Sequence, residues 1–437
     1  MPVTQRSHDG GVPQLPQTLV VNFNSPELNE LAAALRDRDA LAGLVRPYLN
    51  KGRAWERALA ALPLAGAWYA GTFGRRRLAH AGLVRATDEA GIWADVLAAA
   101  IGRVHALAPA TRQRWQAGLY KRVREAVAEA AARRAPAAAC VVAYEGFALP
   151  AFERLRRAGN GCAVLNYPVA HHRWRRRVRL EENAREPAFA STWPDFDDWP
   201  PGHEQRLDDE IAHADAVLVG SAYARDTFIA EGVPAGKLVV APYGVDLATF
   251  HPGPDRPRGH TFEAVFAGQL TQRKGLSYLL RGWQAFARGQ PPSAVALTLV
   301  GNHLGDAAAL APWSGHFVHS PHLTRPALAE RLRRADVFVF PTLVEGMPLV
   351  VLEAMACGLP VVATANGPAD LVRHGIDGLI VPERDPAAIA DALAQLQRDP
   401  ERRAAMGRSA AERALGFGWS AYTGRVMSTL TTLQRRA

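Results

Sequence analysis

Residues 335–364 read ADVFVFPTLVEGMPLVVLEAMACGLPVVAT. The apolar run 336–341 (DVFVFP) has the length and composition of a strand buried on both faces. A loop then carries Glu345, Gly346, Met347 and Pro348. A helix is predicted over 349–357. Pro348 suits its first turn, where a missing N–H costs no hydrogen bond, and Gly358 with Pro360 just beyond ends it. A second apolar run, 360–364 (PVVAT), follows. Strand, helix and strand in this order build a parallel sheet.

The same alternation extends in both directions. Upstream in the same half, 262–268 and 294–301 read as strands, with helices at 276–286 and 326–334. In the first half, strands are expected at 18–23, 138–143, 163–166, 216–219 and 237–242, and helices at 27–37 and 149–157. Ser221 is placed to cap a further helix over 222–231. Segment 250–261 (FHPGPDRPRGHT) is rich in Pro and Gly and marks a domain boundary. The expected class is therefore α/β, with two doubly wound Rossmann-like domains facing each other across a cleft. One spans 17–249 behind a loose tail at 1–16, and the other starts at 250. Ligands of such sheets sit beyond the carboxyl ends of the strands, so the loops that follow strands are where chemistry is sought.

Composition narrows the function classes. Of 437 residues, 48% are hydrophobic and 21% charged, which excludes wholesale disorder, collagen and a small disulfide scaffold. Three cysteines, Cys140, Cys162 and Cys357, form no zinc pattern, and so sparse a set points to a reducing compartment. The net charge of +9 suits anionic partners. No RRM, helix-turn-helix or zinc signature accompanies it, so nucleic acid is not an expected partner. No signal peptide is recognised at the start. The charge-free stretch 58–74 is Ala-rich, holds Pro63, and reads as a helix end plus a loop rather than a membrane span.

Two strand-end loops concentrate polar chemistry. In the loop of 342–348, Gly346 lets backbone approach a ligand, the helix N-terminus favours a phosphate, and Glu345 can accept from sugar hydroxyls. Glu353, inside an apolar helix, needs a ligand such as a ribose diol, or an arginine such as Arg334. The second loop is 268–275 (GQLTQRKG), where Arg273 and Lys274 suit a diphosphate. It is not a Walker loop, and GNHLG at 301–305 does not meet the dinucleotide fingerprint, which disfavours an oxidoreductase. Asn366-Gly367-Pro368 forms another strand-end turn, and Asp195-Phe196-Asp197 reads as a turn rather than a metal site. The basic, aromatic segments 171–180 (HHRWRRRVRL) and 74–77, after Trp68, Tyr69 and Phe73, suit either an anionic bilayer or a solvated face.

With these residues in view, the chain from about Asp215 onward resembles retaining nucleotide-sugar glycosyltransferases of the GT-B fold, family four. The resemblance rests on HADAVLVGSAYARDTF, KLVVAPYGVDLATFHP, the G-x-L-x-x-x-K-G loop, LTLVG, residues 335–364, and HGIDGLIVPERDPAAIADAL. Glu345 and Glu353 fulfil the family's E-x7-E. It implies that Glu345 contacts the donor sugar, Glu353 the ribose, and Lys274 the diphosphate. Gly268, Gln269, Gly346, Met347, Pro348 and Leu349 would line the donor. Gln269 stands where the family often has an arginine, a role Arg273 would take over. One of His171 and His172 is expected to touch donor sugar or acceptor, with Asn24, Tyr144 and Tyr167 on the acceptor side. Phe417-Gly418-Trp419 resembles the start of the family's C-terminal segment, which places a closing segment at 416–437 after a domain of 250–415.

The implied activity is sugar transfer from a nucleoside-diphosphate sugar to an acceptor hydroxyl, in polysaccharide or glycolipid assembly. The alternatives are a nucleotide-sugar epimerase of the same fold and a non-catalytic relative. No metal or cofactor is expected. The partners would be the nucleotide sugar, a saccharide or lipid-linked saccharide, and an anionic membrane surface contacted peripherally. The expected location is the cytoplasm, at the inner face of the cell membrane.

Overall fold

A computed structural model describes residues 15–436 apart from 75, 79, 103–108, 160, 194–201, 254–260 and 305–306. The motif at 195–197, most of the loose tail and the centre of the 250–261 boundary lie outside the described residues. Among the described residues, thirteen strands form two parallel sheets. The first holds β1 (Thr18–Val21), β2 (Leu41–Arg46), β3 (Thr87–Glu89), β4 (Cys140–Tyr144), β5 (Cys162–Asn166), β6 (Ala216–Val219) and β7 (Leu238–Val240). Its order is β3-β2-β1-β4-β5-β6-β7. The second holds β8 (Phe262–Ala267), β9 (Val295–Val300), β10 (Val318–Ser320), β11 (Val337–Phe340), β12 (Val361–Ala363) and β13 (Gly378–Ile380), in the order β10-β9-β8-β11-β12-β13. Both orders reverse once, between β1 and β4 and between β8 and β11, as doubly wound sheets do.

By compactness the chain divides into two units. One comprises Met1–Asn166, Asp208–Ala216 and Thr423–Ala437; the other comprises Tyr167–Leu207 and Val217–Tyr422. In the second unit, β8 and β11 are buried along nearly their whole length, with Phe266 and Phe340 stacked at 5.7 Å. That double-sided burial is why both strands read as continuous apolar runs rather than alternating ones.

Most strands expected from the sequence form within one to three residues of their bounds, and the helix Leu149–Arg157 forms over its expected span. Ser221 accepts from the Ala224 N–H at 3.1 Å, as a cap should. The 58–74 stretch departs from expectation. It is two helices, Ala54–Ala61 and Pro63–Phe73, broken at Leu62, whose extended backbone admits Pro63 as the next helix start. Tyr69 and Phe73 are buried there against Tyr48. Tertiary burial, which single-sequence propensity cannot see, turned the expected loop into helix. Among the described residues no helix is long and apolar enough to cross a membrane.

A second departure concerns the cysteines. Cys140 and Cys162 lie directly opposite each other on β4 and β5, with Cα atoms 4.6 Å apart, and are joined as a disulfide. The sparse set points to a reducing compartment, yet this pair is joined; Cys357 is free and buried.

Candidate active site

The loops after β8 and β11 flank the point where the order of the second sheet reverses, and both lie in one compact unit. Beyond β8, Gly268 takes φ +145° and the chain turns at Thr271, whose hydroxyl caps a short turn over Gln272–Lys274. Gly275 ends that turn at φ +72°. A Cβ there would stand 1.9 Å from the Pro341 carbonyl oxygen, so only glycine lets the two loops meet.

Their meeting point is Glu345. Its Oε1 accepts from Lys274 Nζ at 2.5 Å and from Arg273 at 2.7 Å. Arg273 also donates to the Val344 carbonyl at 3.1 Å, and the Lys274 ammonium lies 4.7 Å from the centre of the Phe340 ring. Burial pushes the Lys274 ammonium down to about 8, against the pull of Glu345. Burial works to raise the Glu345 carboxyl, but Arg273 and then Lys274 outweigh it and hold it below its ordinary value. At neutral pH the cluster therefore carries one carboxylate and two cations, a surplus of positive charge inside a buried site.

The 272–274 turn is anchored by residues that the sequence did not single out. Gln272 is fully buried and donates to Glu182 and to Ser277, both at 2.7 Å. Its N–H donates to the Thr192 hydroxyl at 2.9 Å. Glu182, also fully buried, accepts from Arg384 at 2.9 Å. These partners lie up to 202 residues apart, so no local pattern announces them. The one sequence signal was Gln272 itself, an amide inside the 268–275 loop.

Gly346 is held between neighbours. A Cβ would fall 1.9 Å from the Pro168 carbonyl oxygen, and Ser221 donates its hydroxyl proton to the Gly346 carbonyl. Met347 is buried, with its sulfur accepting from the Tyr243 N–H at 2.9 Å. Pro348 is the cap of the helix Leu349–Ala356 rather than a member of its first turn, and no side chain caps that end. Leu349 is half-buried at the first helical position. The turn after β12 reaches the same place: a Cβ on Gly367 would lie 2.8 Å from that of Glu345, and Asn366 donates to the Leu343 carbonyl at 2.8 Å.

Glu353 is 8% exposed and pairs with Arg325 at 3.2 Å; no pairing with Arg334 forms. Burial raises its carboxyl to about 7, against the counter-pull of Arg325 and with help from Asp246. It is thus poised between its two protonation states at neutral pH.

The remaining expected residues fall in varied settings. His171 caps the helix His172–Arg185 and stacks on His172 at 4.2 Å. Burial lowers His171 to about 4 and, with His171 beside it, His172 to about 2. Both rings are neutral at pH 7, so any sugar contact they make is a hydrogen bond and not an ion pair. Tyr167 is fully buried, with its hydroxyl 3.1 Å from His172 Nδ1. Gln269 is exposed at the loop start. Asn24 and Tyr144 belong to the other unit, where exposed Asn24 adopts φ +66° and accepts from Arg46, and Tyr144 packs edge-on to Phe147. In the basic run 171–180, Trp174 donates to the Tyr223 hydroxyl at 3.2 Å, Arg177 pairs with Glu231, and Arg176 with Glu204. That run is tied into its own unit rather than presented as a free cationic strip.

Comparison with known proteins bears on this site. Residues 261–399 match the family described as Glycosyl transferases group 1. A D-inositol 3-phosphate glycosyltransferase of Pseudarthrobacter chlorophenolicus is 38% identical over 204 residues, 43% of this chain and 49% of that protein. The chain spans about half the length of the curated relatives it matches. Over nearly its full length it shares the fold of a sucrose-phosphate synthase from Thermosynechococcus elongatus (TM-score 0.64, 19% identity, 96% of this chain and 99% of the other). It likewise shares the fold of Anabaena Alr3699/HepE, solved in complex with UDP-glucose (TM-score 0.59, 15% identity, 95% and 100%). Residues 261–399, which supply Arg273, Lys274, Glu345 and Glu353, thus match the group 1 glycosyl transferases, within a chain of the GT-B fold.

Proposed function

We propose that this protein is a retaining glycosyltransferase, moving a sugar from a nucleoside-diphosphate sugar to an acceptor hydroxyl. The observation that carries the reading is the convergence of Lys274 and Arg273 on Glu345 where the sheet order reverses. A diphosphate entering there competes with Glu345 for both cations. Glu345, released from them, is left to accept hydrogen bonds from the sugar. Glu353, in its carboxylate form, accepts from the two ribose hydroxyls.

As the anomeric C–O bond breaks, negative charge collects on the leaving diphosphate. Lys274, Arg273 and the N-terminus of the helix Leu349–Ala356 are aimed at that charge, and such preorganised groups contribute roughly 2.7–4 kcal/mol each. The acceptor oxygen forms its new bond on the face the diphosphate leaves, and its proton departs with that group. The cations do the charge stabilisation, so transfer proceeds in the presence of a chelator. We propose a saccharide or lipid-linked saccharide as acceptor. The names of the curated relatives suggest D-inositol 3-phosphate as the first competing acceptor to try, and the Anabaena complex suggests UDP-glucose as the first donor.

A thermal-shift panel of nucleotide sugars is the test. A ligand that binds the folded chain raises its stability by RT ln(1 + [L]/Kd), so the donor stands out above its free sugar. That donor, incubated with each acceptor and a chelator, should yield a glycoside of unchanged anomeric configuration. Absence of any shift across the panel, or a donor shift that Lys274→Ala leaves unchanged, overturns the reading. Conversion of the donor with no acceptor present would mark an epimerase instead.

A further inference from the structure

The chain's positive charge is not spread evenly. Residues 51–124 contain thirteen Lys and Arg against four Asp and Glu, a net +9 that equals the net charge of the whole chain. The other 363 residues are balanced. No acidic residue occurs between Glu56 and Asp88, or between Asp95 and Glu125.

Three of the four acids of this segment are turned inward, while the side chain of the fourth, Asp88, is 37% exposed and pairs with Arg134. Glu56 is buried and accepts from the Tyr48 hydroxyl and from Arg53. The side chain of Glu89 is 4% exposed and pairs with Lys51 and Arg53. That of Asp95 is 2% exposed and pairs with Arg76. What faces solvent is cationic: Arg57, Arg77, Arg85, Arg114, Lys121 and Arg122 are all exposed.

The same segment holds every exposed tryptophan among the described residues, Trp55, Trp93 and Trp115, together with exposed Leu62 and Leu97. Trp93 is 73% exposed, and its ring lies 6.4 Å from that of Trp55. Leu97 stands one turn beyond Trp93 on the helix Ile92–Ile101. Trp115 is on the helix Pro109–Arg134, where neighbouring Gln116 donates to the Ala98 carbonyl at 3.1 Å. The helices Ala54–Ala61, Pro63–Phe73 and Ile92–Ile101 pack on a shared core of Tyr48, Tyr69 and Phe73 through Leu59, Trp68, Ile92, Val96 and Ala99, and Trp93 and Leu97 are not among the residues packed on it. Large apolar side chains displayed together at a surface mark an interaction site.

We propose that this face, centred on Trp55, Trp93 and Leu97, docks on an anionic lipid bilayer. Tryptophan settles at the water–lipid boundary, leucine gains by entering the acyl region, and the exposed arginines of the same segment meet anionic headgroups. A second copy of this chain would bring the same cations against it and be repelled. A nucleic acid would satisfy the arginines but leave Leu62 and Leu97 without a partner.

The test is co-sedimentation of the whole chain with vesicles of phosphatidylcholine alone or with a third phosphatidylglycerol, at about 0.1 M salt, where charges within roughly 10 Å still attract. The protein should pellet with the anionic vesicles and stay in solution with the neutral ones. Trp93→Ser and Leu97→Ser should each weaken partition by on the order of tenfold, with melting temperature unchanged. Arg57→Gln and Arg77→Gln should each cost roughly fivefold. The proposal is overturned if the anionic vesicles pellet no protein, or if the Ser variants bind them as tightly as the parent. It is equally overturned if the Ser variants dissolve a dimer or release an oligonucleotide while the parent ignores vesicles. None of these readouts uses sugar transfer, so docking and the catalytic reading fail independently.

Discussion

Lys274 and Glu345 show how burial gives ordinary side chains a task. Neither would be held unsolvated in charged form without the other, and the pair is completed by Arg273. Lys274→Ala should lower turnover by on the order of 10²–10³ while the chain still melts cooperatively; single-turnover kinetics with the donor measures it, and unchanged turnover removes Lys274 from the reaction. Glu353 and Lys274 together set a pH profile. The Glu353 carboxyl is raised to about 7, so its acceptor form is gained as pH climbs through that value. The Lys274 ammonium is lowered to about 8, so its charge is lost as pH climbs further. Affinity for the nucleotide sugar should therefore peak between about 7 and 8. Calorimetry across pH checks this, and Glu353→Gln should flatten only the acid limb. For folding the sign on Glu353 is the reverse: a raised carboxyl favours the native state at low pH, and that contribution is lost as pH rises through about 7.

At the scale of the element, the site depends on how closely two loops approach. Gly275 combines φ +72° with a position 1.9 Å from the Pro341 carbonyl for any added Cβ. Gly275→Ala must push the 272–274 turn away from β11, taking Lys274 with it. A loss of about 1–3 kcal/mol is expected from the forced shift, seen as a lower melting temperature together with weaker donor binding. An unchanged melt would show that the turn moves freely. Gln272 acts from the other side. Its bonds to Glu182 and Ser277 fix the turn whose next two residues carry the cations. Gln272 is thus next in sequence to the two cations proposed to bind the donor, although Glu182, which holds it, is 90 residues away.

Across the whole molecule, charge and covalent linkage are both set by folding. Residues 51–124 account for the entire net charge, but only the inward turn of Glu56, Glu89 and Asp95 makes that face cationic. The Cys140–Cys162 disulfide closes a loop with a sequence separation of 22 in the middle of the first sheet. Constraint of the unfolded chain by a loop of that size is worth about 3 kcal/mol. Reduction, or the double change Cys140→Ala and Cys162→Ala, should lower the melting temperature by several degrees. Equal melts with and without reductant would show that the bond adds nothing.

The sequence by itself determined the alternation of strands and helices in the second half, because fully buried strands and capped helices are written in local apolar runs, glycines and prolines. It also singled out Arg273, Lys274, Glu345, Gly346 and Glu353, since charged or glycine residues at strand ends stand out against an apolar background. Only the tertiary structure decided that both cations share one carboxylate, that Gln272 is held by Glu182, itself paired with Arg384, that Glu353 pairs with Arg325 rather than Arg334, and that Cys140 faces Cys162. Each of these is a contact between segments distant in the chain, and its energy depends on burial and register. Both quantities exist only once the sheets have formed.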